Sequence, residues 1–93
     1  MVAEASRLAG IAAERFPVRR VYLFGSVADG RGLSVWSDID LAMEGLPAEM
    51  LLELLGVLTG NTGHALDVKR LEELPPAVRE HIVHRGVVVY ERS

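Results

Sequence analysis

The run Val21-Tyr22-Leu23-Phe24, stopped at once by Gly25-Ser26, constrains this chain more than any other feature. Four consecutive apolar residues of strand-forming type suit a β-strand buried on both faces. Such a strand needs other elements to cover it, and the flanking sequence offers them. Val2, Ala5, Leu8, Ala9, Ala12 and Phe16 recur at three- and four-residue spacing, which predicts a helix with one apolar stripe. Pro17 disfavours helix at the residue before it and ends the segment. Residues 27–37, with Gly30, Gly32 and two serines, read as a loop with a helical turn at its start. Asp38-Ile39-Asp40-Leu41-Ala42-Met43 opens in polar–apolar alternation and predicts a second strand, broken by Gly45. Pro47 suits the first turn of a helix reaching about Leu58, and Gly60-Asn61-Thr62-Gly63 reads as a turn. Ala65 to Val68 predicts a third strand, with Leu66 and Val68 on one face and Asp67 on the other. Pro75-Pro76 opens a last helix that Gly86 closes after Arg85, and Val87 to Tyr90 forms a final strand. The order α-β-loop-β-α-β-α-β predicts an α/β or α+β layer fold built on one sheet.

Ninety-three residues predict a single domain over 1–93. A hydrophobic share of 49% against 25% charged residues excludes intrinsic disorder. The absence of cysteine excludes disulfide scaffolds, cysteine-ligated zinc and thiol nucleophiles. The N-terminal stretch carries Glu4 early and lacks the apolar core of a signal peptide, and no window approaches ~18 apolar residues. A soluble, cytoplasmic protein with no membrane association is expected. Ten Lys and Arg against 13 Asp and Glu give a net charge of −3, where a nucleic-acid-gripping domain shows a basic excess. Nucleic acid is therefore not the expected partner. The helix around Met50 to Leu58 is apolar over more than one face, which leaves room for a protein partner or a second copy of the chain.

Three features carry chemistry. Gly25-Ser26 ends a buried strand, where a glycine lets backbone approach a ligand and exposed amides beside a hydroxyl can hold an anion. Asp38 and Asp40 lie on one face of a strand with Cα atoms roughly 7 Å apart. Two carboxylates side by side on an apolar strand repel each other, and a divalent cation such as Mg²⁺ compensates them directly. Asp67 stands alone among apolar strand residues, which by itself is an ordinary solvent-facing acid. If the third strand neighbours the second, however, Asp67 projects beside Asp38 and Asp40. Three carboxylates on adjacent strands can hold two metals of the kind that clamp an in-line phosphoryl displacement. Glu44 shares the face of Asp40 but lies about 13 Å along the strand, too far to be the third ligand.

Gly25-Ser26, then eleven residues, then Asp38-x-Asp40, and later Asp67 on a strand, resembles the polymerase-beta-like nucleotidyltransferase superfamily. Chain length, Ser37-Asp38-Ile39-Asp40-Leu41 and the closing stretch from Pro75 to Tyr90 resemble its minimal nucleotidyltransferase (MNT) branch. The resemblance implies a small mixed sheet of about four strands with helices packed against it. It also implies that Gly25 and Ser26 hold nucleotide phosphates, that Asp38 and Asp40 bridge two Mg²⁺ ions, and that Asp67 completes the metal activating the acceptor. The implied reaction moves AMP from ATP to an acceptor hydroxyl. The implied role is the antitoxin of a toxin–antitoxin pair, adenylylating a helical HEPN-type toxin.

Two departures from the family pattern support an alternative. Eleven residues rather than ten separate Ser26 from Asp38, and Asp29 stands where family members commonly carry Arg. A catalytically weak or inactive module of the same fold, neutralising a partner by contact alone, fits those departures; Arg31 could replace the missing positive charge. Trp36 suits the edge of a core better than a base-stacking role. His81 and His84 share a helix at a spacing that can hold a metal, but no third ligand accompanies them. The formal match of Arg79-x4-His84 to a HEPN ribonuclease signature falls on a short helix leading into a strand, which is the wrong context.

Overall fold

The periodicities become elements in the computed structural model, which describes residues 2–24 and 38–92. In chain order these are α1 (Val2–Arg15), β1 (Arg20–Phe24), β2 (Ile39–Glu44), α2 (Leu51–Thr59), β3 (Leu66–Arg70), α3 (Pro76–Arg85) and β4 (Val87–Glu91). One 3₁₀ turn, Ala48–Met50, precedes α2 and another, Leu71–Glu73, follows β3. The helix expected from Pro47 therefore begins as a 3₁₀ turn. Pro47 itself stays extended at φ −61°, ψ 142°. The third strand runs two residues past its expected end, through Lys69 and Arg70.

The four strands form one mixed sheet in the order β3-β2-β1-β4. β1 pairs antiparallel with both β2 and β4, whereas β2 and β3 run parallel. A parallel pair needs a crossover, and α2 supplies it. Strand alternation then sorts side chains onto two faces. Val21, Leu23, Ile39, Leu41, Met43 and Val68 pack on one face against Ala5, Leu8, Ala9 and Ala12 of α1 and Leu54 and Leu58 of α2. Tyr22, Phe24 and Ala42 occupy the other, under Ile82 of α3 and Leu71. The run Val21 to Phe24 is buried on both sides, as its composition predicts.

Two glycines are required for different reasons. Gly45 ends β2 at φ +90°, in the left-handed region, and its amide donates to Glu72 Oε2 at 2.8 Å. Gly86 closes α3 at φ −72°, ψ 163°, so it does not adopt the left-handed cap that a glycine there suggests. Close approach is the cause instead: a Cβ at this position would lie 2.6 Å from the Ile82 carbonyl oxygen and 3.3 Å from that of Leu23.

Candidate functional site

The parallel pairing of β2 with β3 sets Asp40 directly beside Asp67, and on its other side Asp40 faces Phe24 of β1. Alternation puts Asp40 and Asp67 on the face of the sheet shared with Ala42 and Tyr22. Asp40 is fully buried, the single charged-type residue so placed among the described residues. Burying a carboxylate is costly without compensation, so its position in the middle of the sheet requires a structural or chemical reason.

Asp38 sits just before β2, two residues ahead of Asp40 and level with the start of β3. The Ala65 carbonyl accepts hydrogen bonds from the Asp38 amide at 2.9 Å and the Ile39 amide at 3.2 Å. In return Ala65 N–H donates to Asp38 Oδ2 at 3.3 Å, and His64 Nδ1 lies 3.7 Å from the same oxygen. Asp67 Oδ1 lies 3.4 Å from Lys69 Nζ, with both side chains partly exposed. The condition set by the sequence is thus met: β3 neighbours β2, and all three acids occupy one end of one pair of strands.

The donor set suits a hard divalent cation, being carboxylate oxygen only. The Lys69 ammonium sets a positive charge beside Asp67. Side-chain orientation is another matter. Among the described residues no three His, Cys, Asp or Glu side chains converge closely enough to enclose a metal ion. Asp38 turns toward the Ala65 amide and Asp67 toward Lys69. The backbone brings the three ligand candidates together, while the carboxyl groups of Asp38 and Asp67 face other partners.

Gly25 and Ser26, expected to hold phosphates, lie outside the described residues, as do Asp29, Arg31 and Trp36. Gly25 follows directly on Phe24, the register partner of Asp40. Glu44 stays apart from the acids, as its place in the strand predicts. It accepts from Arg19 Nη2 at 2.8 Å and lies 3.5 Å from Arg20 Nη1. His84 is exposed on α3.

The turn carrying His64 is tied to α1. Arg7 donates to both Glu4 oxygens, at 3.0 and 2.8 Å, and to the Asn61 carbonyl at 2.5 Å. Thr62 Oγ1 donates to Glu4 Oε2 at 2.7 Å and accepts from the His64 amide at 3.2 Å. The Arg7 and Thr62 hydrogen bonds hold the Glu4 carboxyl down at about 2. Sequence reasoning overlooked both Lys69 and His64. Lys69 was accessible to it, since a residue two places from Asp67 on a strand shares its face. The approach of His64 to Asp38 depends on how the turn closes, which no periodicity encodes.

A four-stranded mixed sheet with its acids at the ends of β2 and β3 defines the nucleotidyltransferase fold of the polymerase beta type. Comparison with known proteins bears this out: the family described as Polymerase beta, Nucleotidyltransferase matches residues 6–93. The chain belongs to that family. Among curated proteins no sequence matches it significantly. Among solved structures, a toxin–antitoxin crystallised with AMP-PNP superposes with a TM-score of 0.69 at 22% identity, covering 97% of this chain and 74% of that one. A Sulfolobus solfataricus protein provisionally classed as a nucleotidyltransferase superposes with a TM-score of 0.58 at 23% identity, covering 99% and 81%. Both likenesses concern the fold. Among the described residues no helix is long and apolar enough to cross a membrane.

Proposed function

We propose that this chain, acting as one minimal domain over residues 1–93, transfers AMP from ATP to a hydroxyl group on a partner protein in an Mg²⁺-dependent reaction. The observation that carries the reading is the register of Asp40 against Asp67, with Asp38 two residues before Asp40, in a chain of nucleotidyltransferase family. A module that only bound a partner would have no use for a fully buried carboxylate beside a second acid.

In this reading Asp38, Asp40 and Asp67 hold Mg²⁺, and Gly25 and Ser26 hold the nucleotide phosphates. Bound Mg²⁺ supplies neutralisation of phosphate charge and lowers the pKa of the acceptor hydroxyl. Asp40 is buried and cannot swing, so it sets the depth of the site, whereas Asp38 and Asp67 can rotate from their present partners. The acceptor hydroxyl releases its proton to water as its oxygen bonds to the α-phosphorus, the bond from that phosphorus to the bridging oxygen breaks, and pyrophosphate leaves with its electron pair. Positioning and charge neutralisation suffice for such a transfer, which suits a small scaffold.

The solved toxin–antitoxin structure of the same fold supports a toxin as the partner protein, and the family resemblance of the sequence supports a helical HEPN-type toxin, with this chain as its cytoplasmic antitoxin. The test is to incubate the chain with Mg·ATP and the product of its neighbouring gene, then weigh both proteins. The expected result is a partner heavier by whole AMP units. A stable complex with an unmodified partner would instead establish the contact-only module that Asp29 and the eleven-residue spacing suggest.

A further inference from the structure

Besides the three acids, the structure places an ammonium group against one of them, Asp67. Asp67 and Lys69 alternate along β3, so both side chains stand on the face that carries Asp40. Lys69 is the register partner of Ala42, one alternation further along that face from the Asp40–Asp67 pair. Its ammonium lies 3.4 Å from Asp67 Oδ1 rather than extending into solvent, although 41% of its side chain is exposed. β3 is an edge strand, so nothing in the sheet forces the lysine inward. Charge does. Two acids in register on parallel strands repel each other, and an ammonium folded back along the strand offsets that repulsion.

We infer that Lys69 is the built-in counter-ion of the site, occupying Asp67 in the metal-free protein and competing there with the divalent cation. The inference rests on the metal reading of Asp38, Asp40 and Asp67. A metal can take the Asp67 oxygen only as the ammonium leaves it. The affinity of the site is therefore set partly by a residue that is not a ligand. Lys69 acts through Asp67 and is a positioning residue. Because the pair is partly exposed, its grip is modest, and the competition weakens as salt screens it.

The test is Mn²⁺ binding to the full chain, followed by electron paramagnetic resonance without nucleotide at low salt. Lys69→Met is expected to tighten binding by about two- to fivefold, the equivalent of one partly exposed ion pair. Lys69→Arg is expected to stay near wild type. The advantage of Lys69→Met is expected to shrink at high salt. Arg19→Met, which removes an equal charge from the opposite end of β2, serves as the control for net charge and is expected to leave binding unchanged. Urea midpoints show that each variant is folded. If wild type binds Mn²⁺ and Lys69→Met binds no tighter, or if Arg19→Met tightens binding equally, the counter-ion role is wrong. If folded wild type binds no Mn²⁺ at all, the metal assignment itself fails, and this inference with it.

Discussion

Replacing Gly86 with alanine tests the packing that seats α3 over the site face. Its backbone, at φ −72° and ψ 163°, is open to any residue, so conformational strain plays no part. Taken alone, Gly→Ala at a compatible position stabilises by about 0.4–1 kcal/mol through the unfolded chain. Here the added Cβ would meet the Ile82 carbonyl oxygen at 2.6 Å, with the Leu23 oxygen at 3.3 Å beyond it. Both obstacles are backbone: one belongs to the last turn of α3 and the other to central strand β1. The helix end must lift by several tenths of an ångström, which stretches the 2.7 Å hydrogen bond from the Gly86 amide to that same Ile82 oxygen. Overpacking costs about 1–3 kcal/mol. A weakened hydrogen bond adds up to about 1 kcal/mol. After the entropic gain, Gly86→Ala should destabilise by about 1–3 kcal/mol. The assay is urea unfolding, with a lower midpoint and unchanged slope. Gly10→Ala is the matched contrast, because a Cβ inside α1 at that position meets nothing within 4 Å. It should stabilise by about 0.5–1 kcal/mol. A Gly86→Ala variant as stable as wild type would refute the reasoning.

Other outcomes follow from the site and its surroundings. Asp38→Ala and Asp40→Ala should abolish AMP transfer while circular dichroism remains that of the folded protein; normal transfer by either would remove that residue from the metal site. Glu4 titrates at about 2 in the folded protein against 4.5 ordinarily, through its hydrogen bonds from Arg7 and Thr62. A lowered carboxyl pKa stabilises the fold fully above 4.5 and loses that contribution as pH falls from 4.5 toward 2. Wild type and Glu4→Gln should therefore differ in urea midpoint at pH 6 and converge near pH 2, and a constant difference across that range would argue against the linkage. Gly45→Ala forces a side chain into φ +90° against the Arg19 Cβ at 3.2 Å and should destabilise by about 1–2 kcal/mol in the same assay.

Most of the architecture was legible because it rests on periodicity. The α1 stripe, the doubly buried β1 and the alternation of Asp40 with Leu41 all follow from residue spacing alone. Adjacency of β3 to β2 was a different kind of statement, since strand order depends on crossovers that spacing does not encode. It entered as a condition on Asp67, and the parallel register met it. What stayed hidden depends on side-chain direction and loop closure. Asp38 turns to the Ala65 amide because the turn before β3 folds against the start of β2. That turn is itself held by Glu4 and Arg7, far away in sequence. Gly86 was placed correctly for the wrong reason: a helix-ending glycine suggests a left-handed cap, and the actual constraint is the nearness of two carbonyls.

The central claim is that the α-phosphoryl group of ATP, with its nucleoside, moves onto a partner. Parallel incubations with ATP labelled at the α- or the γ-phosphate, in the presence of Mg²⁺ and the neighbouring gene product, test it most directly. The account predicts α-label on the partner, γ-label released in pyrophosphate, and neither on the partner when Asp40→Ala replaces wild type. Partner labelled from the γ-phosphate, or α-label transferred equally well by Asp40→Ala, would contradict it.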